Sequence, residues 1–181
     1  SERNSVLYRE KIFREQIAPV LTLTRACDRY TPLFLAFLRQ YEAQNVKMLI
    51  VQAHGGQTLR QWYDISPFGV VEKEILKKNL SFEELRTLFA STYLAPAFAK
   101  PASSASMTVR LDILAVENLY DAGGALAGED RLDFRNLAME RLDVLAALWS
   151  YRLREYYSAG DEQIRSFVKK MNRLASGPRI T

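Results

Sequence analysis

Cysteine and histidine are almost absent from this chain: its 181 residues contain one of each, Cys27 and His54. A single cysteine excludes an internal disulfide and suits a reducing compartment. Zinc needs three or four nitrogen, sulfur or carboxylate ligands in a suitable arrangement, and one Cys with one His does not supply them. No metal and no cofactor is therefore expected. Glycine and proline are also scarce, at eight and six. Most of them fall between periodic segments, which favours long regular elements. β-Branched residues are few and no Asn-Gly or Asp-Gly pair appears, so hairpins are not expected. No apolar run approaches the ~20 residues that span a bilayer, and no secretory signal is visible. Any membrane contact is expected to be peripheral.

What is present is ordinary for a soluble domain: 48% hydrophobic and 25% charged residues. The length allows one domain or two small ones. The net charge is +4, but Lys and Arg are interleaved with Asp and Glu, as in "REKIFRE" and "EKEILKKN". Such segments read as solvated helix faces, whereas a nucleic-acid site concentrates its basic residues in a stripe. No nucleic acid is expected as a partner. A mildly positive surface tolerates anionic headgroups or an acidic partner.

Nearly every segment has a period close to 3.6, so the fold class is all-α. Residues 1–30 read as N-terminal helices broken or restarted at Pro19. "YTPLF" opens the next helix, with Thr31 as N-cap and Pro32 in the first turn. That helix should run to about His54 and close on Gly55-Gly56. "SPFGVVEKEILKKN" reads as a turn and a short helix. Ser81 and Glu84 form a capping box for another helix ending near Thr92. Residues 31–94 thus make one helical unit. "LAPAFAKPASSASM" has two prolines, three serines and no apolar period, so 95–107 reads as a linker. A second unit covers 108–174. It contains the longest uninterrupted pattern, from Glu129 to Ser158, and a last helix capped by Asp161. Residues 175–181 are a tail.

Catalytic chemistry is poorly supported. "HGGQ" lacks the Gly-Lys-Ser/Thr end of a phosphate loop, so no direct nucleotide binding is expected. His54 sits where a helix exposes its carbonyls and reads as a partner for that dipole. A Cys27–His54 nucleophile pair would require the two side chains to lie within hydrogen-bond reach. The carboxylates sit among basic residues in helices, where i,i+4 pairing is the default. One residue stands out in "YEAQNVKMLIVQAHGG": Asn45 shares an apolar stripe with Phe34, Phe37, Leu38, Tyr41, Met48 and Leu49. An amide facing a core must find partners or cost about 1–3 kcal/mol. The apolar pattern does not name the partner.

The chain also has an internal echo. Aligning Glu42 with Asp143 places Asn45 opposite Ala146 and Val51 opposite Arg152. The first segment, with Tyr41, Glu42, Asn45, Lys47, Leu49 and then Pro67-Phe68-Gly69, resembles the repeated signature of the C subunit of V/A-type ATPases. That subunit is the counterpart of subunit d in the vacuolar enzyme. "FEELRTLFASTYLAPAF" is similar to the close of that repeat. "RLDVLAALWSYRLREYYSAGDEQI" resembles the next copy, through Asp143, Trp149, Arg152, Tyr156, Tyr157 and Asp161. The resemblance covers most of Leu33–Lys170. Two positions depart from it: Val51 where the first copy would carry Arg, and Ala146 where the second would carry Asn. Family members have three copies, and the chain accounts for two. The fold is therefore expected to be incomplete or shortened relative to the three-copy funnel.

The resemblance implies a non-catalytic central-stalk subunit on the cytoplasmic face of the membrane. It would couple the central axle, subunits D and F, to the membrane rotor ring for ATP-linked proton or sodium transport. It also implies Glu42, Asn45, Lys47, Asp143, Arg152 and Arg154 as signature or polar-lining residues. For Asn45, the resemblance carried by its segment implies a bond to a neighbouring turn such as Ser66–Gly69. Internal pairing of Lys47, Arg152 and Arg154 with Glu42 or Asp143 stands as the alternative for those cations, and Arg152, on the stripe of Leu145, Trp149 and Tyr156, could pair with a carboxylate inside the fold. A stand-alone helical adaptor binding a protein partner or RNA is the alternative function.

Overall fold

A computed structural model describes residues 2–56, 61–100, 102–157 and 159–176. Among these there is no strand. The helices are α1 (Glu2–Ala26), α2 (Thr31–Ala53), α3 (Phe82–Phe89), α4 (Ser104–Gly123), α5 (Gly128–Tyr157) and α6 (Asp161–Ser176), with short 3-10 helices at Asp28–Tyr30, Lys73–Lys78 and Ala95–Phe98. The all-α expectation holds. Of the expected tail, 175–181, the first two residues still belong to α6, and 177–181, like residues 57–60, lie outside the described residues.

Proline 19 does not break α1. An interior proline costs roughly 3 kcal/mol. Here apolar residues on both sides of it pack into one cluster. Phe13 and Ile17 are buried with Leu38 and Ile65, and Val20 and Leu21 pack on the same group. Tertiary contact thus keeps the helix continuous through a residue that local preference would use as a stop.

Thr31 is not the N-cap of α2 either. The 3-10 turn before it delivers the chain already helical, with Thr31 at φ −50° and ψ −45°, and Tyr30 takes the cap position. The Thr31 hydroxyl instead donates backwards to the carbonyls of Thr24 (3.0 Å) and Cys27 (3.1 Å). The other end of α2 follows expectation. Gly55 adopts φ +78°, its amide donates to Gln52 O, and the Gly56 amide donates to Val51 O, each at 2.9 Å. This is the paired-bond close that a left-handed residue permits. The Ser81–Glu84 capping box is formed, and α3 ends at Phe89, three residues earlier than expected.

The chain divides into two compact units, Ser1–Ala115 and Val116–Thr181, with the division inside α4. In the first unit, Ala43, Val46, Leu49 and Ile50 of α2 are buried with Leu85 and Phe89 of α3, Leu94, Ala97, Phe98, and Met107 and Leu111 of α4. Residues 95–107, read as a linker, therefore include core. Ala97 and Phe98 are buried and α4 already begins at Ser104. Proline- and serine-rich composition signals a turn; it does not reveal that the turn is tucked inward.

In the second unit α5 and α6 form a helical hairpin. Ala138, Leu142 and Trp149 of α5, and Ile164, Phe167 and Met171 of α6, are buried. Gly123 is needed at the end of α4, because a Cβ there would sit 1.8 Å from a ring carbon of Phe134.

Candidate functional site

The most organised polar chemistry lies along α2. Glu42 and Asn45, each 1% exposed, face the loop that follows this helix. Asn45 bonds one residue of that loop with both ends of its amide. Its Nδ2 donates to Tyr63 O (2.8 Å), and its Oδ1 accepts the Tyr63 amide (2.9 Å). An amide carries a donor and an acceptor, so it can satisfy both backbone groups of a single residue. The expected partner, the Ser66–Gly69 turn, is not the one found. The exit of that turn belongs to Glu42, one helical turn earlier. Glu42 Oε1 accepts from the Val70 and Val71 amides, and Oε2 accepts the Tyr93 hydroxyl at 2.6 Å. An ionised carboxylate only accepts, which suits a pair of amide donors and a phenol.

Arg39 lies over the Tyr93 ring, 4.4 Å from its centroid. Burial holds the Glu42 carboxyl above its ordinary value, against the lowering effect of Tyr93, the two amides and Arg39. Burial and the neighbouring Glu42 charge push the Tyr93 hydroxyl up strongly, so it stays protonated and donates.

Two further side chains of α2 extend the series. Lys47 pairs with Asp112 of α4 at 2.5 Å and with Gln44 Oε1 at 3.2 Å. Asp112 is not one of the two partners expected for it, Glu42 and Asp143. Gln52 Nε2 donates to Leu76 O (2.7 Å) and to Asn79 Oδ1. Helix α2 thereby ties down residues 63–71, the Lys73–Lys78 turn, Tyr93 and α4 by directional bonds.

Helix α1 holds the same loop from its other side. Glu10 accepts the Trp62 amide (2.8 Å) and pairs with Lys73 (2.5 Å), while Arg14 pairs with Asp64 (2.8 Å). Partial burial raises the Asp64 carboxyl, but the Ser66 amide and hydroxyl with Arg14 outweigh it and leave the group below its usual value. These residues line a cleft of about 240 Å³ whose two cations, Arg14 and Lys73, are both paired.

The remaining predicted site residues lie in the second unit and on its surface. Asp143 is exposed. Arg152 is exposed too, 5.4 Å from the Trp149 ring centroid, and is not inside the fold with a carboxylate. Arg154 pairs with Asp161 at 3.3 Å, both well exposed. The aligned positions Glu42 and Asp143 therefore occupy opposite environments, one in the core and one in solvent.

Cys27 and His54 flank α2 at its two ends. The 23 residues between the ends rise about 34 Å at 1.5 Å each, far beyond hydrogen-bond reach. The cysteine–histidine enzyme reading falls on that distance. His54 Nδ1 lies 2.8 Å from Ile50 O, the helix-end contact expected of it. Among the described residues no group of three or more His, Cys, Asp or Glu is placed to hold a metal.

Sequence reasoning missed Tyr93, Asp112 and Glu10 as partners. No local spacing links them to Glu42, Lys47 or Trp62, and only the fold brings them together. No curated protein and no solved structure matches the chain. A family model does, over residues 10–176: that of the ATP synthase (C/AC39) subunit. With nearly its whole length matched, the chain belongs to the ATP synthase (C/AC39) subunit family.

Proposed function

We propose that the chain is a non-catalytic central-stalk subunit of a V/A-type ATPase. In this reading it works on the cytoplasmic face of the membrane, where it joins the central axle, subunits D and F, to the rotor ring. Torque then passes between ATP chemistry and proton or sodium movement. The observation that carries the reading is the family match over residues 10–176.

The geometry agrees with a mechanical role. The best-built polar groups, Glu42, Asn45 and Lys47, are spent on tying the first unit together. No helix among the described residues is long and apolar enough to cross a membrane, as a peripheral coupling subunit requires. Surface ion pairs give only about 0–1 kcal/mol each, so torque needs many contacts over a broad interface. Arg152 and Arg154, which face solvent, are the proposed polar contacts.

The test is retention of the folded chain by an immobilised D–F axle complex, with charge reversal at Arg152 and Arg154 weakening it. A folded chain that the axle fails to retain would refute the reading.

A further inference from the structure

Helix α1 is fastened in two unequal parts, and Pro19 lies between them. After Pro19, Val20 and Leu21 pack on the cluster around Leu38 and Ile65. Thr24 is buried, and its carbonyl accepts the Thr31 hydroxyl at 3.0 Å. Ahead of Pro19 only Phe13 and Ile17 are buried among the described side chains. In α2, by contrast, buried side chains crowd the stretch from Ala36 to Ile50.

The forward part of α1 is otherwise held by polar contacts. Arg14 pairs with Asp64, and Glu10 pairs with Lys73 and accepts the Trp62 amide. The Gln61 side chain donates to the Arg9 carbonyl at 3.3 Å. Both cations are well exposed, Arg14 at 71% and Lys73 at 46% of the side chain, so salt screens the two ion pairs. The joint itself is weak. Proline has no amide, so the Glu15 carbonyl lacks its helical donor at that turn. Just beyond, the Thr22 and Thr24 hydroxyls bond back to the carbonyls of Ala18 (3.0 Å) and Val20 (2.7 Å), a contact that bends helices.

We propose that the part of α1 ahead of Pro19 is a strap, which opens about Pro19 as one piece while the rest of the first unit stays folded. Opening breaks the Phe13 ring contacts with Tyr41 (4.9 Å) and Tyr63 (5.0 Å) and parts Arg14 and Glu10 from the loop. It leaves intact the bonds by which Asn45 and Glu42 hold that loop from α2. The loop therefore keeps its place while the face made by Leu38, Tyr41, Tyr63 and Ile65 is uncovered. Isolated helices shorter than ~12–15 residues are marginal in water, so the freed segment melts and its amides exchange. Ionic strength sets how often this face is open. The strap does not depend on the rotor reading, since it is a property of the chain alone.

The experiment is amide hydrogen exchange of the 181-residue chain under native conditions, followed residue by residue by NMR. Residues 8–17 should open together, at least ~100-fold more often than residues 45–50, with a step in protection at Pro19. Sodium chloride at about 1 M should raise that opening about 3- to 10-fold and leave residues 45–50 unchanged. Arg14→Gln with Lys73→Gln should reproduce the rise at low salt and remove most of the further response to salt. Pro19→Ala should lower the opening at least ~10-fold. Exchange of residues 8–17 at the α2 rate, protection that fades smoothly through Pro19 as fraying would, or opening indifferent to salt and to Pro19→Ala overturns the proposal.

Discussion

Replacing Asn45 by Leu isolates the joint between α2 and the loop after it. Leucine suits the helix and is close in size, so α2 itself should persist. What disappears is the bond pair to Tyr63, 2.8 and 2.9 Å long. The Tyr63 amide and carbonyl then face a side chain that can bond neither. An unsatisfied buried backbone group costs about 1–3 kcal/mol. Tyr63 is half-buried, so water recovers part of that, while the leucine gains some burial. The expected net loss is about 2–3 kcal/mol. At roughly 3–5 °C per kcal/mol for a domain of this size, the melting temperature should fall by about 6–15 °C. Circular dichroism at 222 nm supplies the melting curve. Hydrogen exchange adds a local readout, because the Tyr63 amide should lose protection while the amides of α2 keep theirs. A melting temperature within about 2 °C of the parent, with the Tyr63 amide still protected, would refute the claim that this amide fixes the loop.

Other substitutions probe the remaining contacts. Lys47→Met removes the cation that pairs with the half-buried Asp112 and should cost about 3 kcal/mol in denaturant unfolding, with Lys47→Met, Asp112→Leu recovering most of it. Gly123→Ala should destabilise by about 1–3 kcal/mol even though alanine is the better helix former, since the added carbon meets the Phe134 ring at 1.8 Å. Glu42 and Asp64 should give opposite pH slopes. The raised Glu42 group contributes stability that is full below its unfolded value of 4.5 and lost as pH rises through its folded value. The lowered Asp64 group contributes stability present above 3.8 and lost as pH falls through its folded value. Unfolding free energies from pH 3 to 8 should show Glu42→Gln removing the decline above 4.5, and Asp64→Asn flattening the acid limb.

Features written in neighbouring residues could be read from the sequence. The Ser81–Glu84 box, the Gly55 close, the turn before Lys73–Lys78 and the long α5 pattern each depend on residues a few positions apart. Asn45 announced itself as a polar residue on an apolar face, but its partner did not. Periodicity says which way a side chain points, not what the fold brings to meet it. Tyr93 lies 51 residues from Glu42 and Asp112 lies 65 from Lys47, so nothing local could name them. Pro19 and residues 95–107 show the reverse case. Their local signals were genuine, but burial of Phe13, Ile17, Ala97 and Phe98 overrode them.

The bonds from α2 to its surroundings also bear on how the first unit responds to force. Two oily surfaces resist separation, yet slide past each other at little cost, because dispersion contacts have no preferred direction. An amide clasping both backbone groups of Tyr63, and a carboxylate gripping two successive amides, resist sliding as well, since each bond weakens once its angle is lost. A pull on residues 63–71 therefore reaches α2 as a pull on the helix, with little slack between.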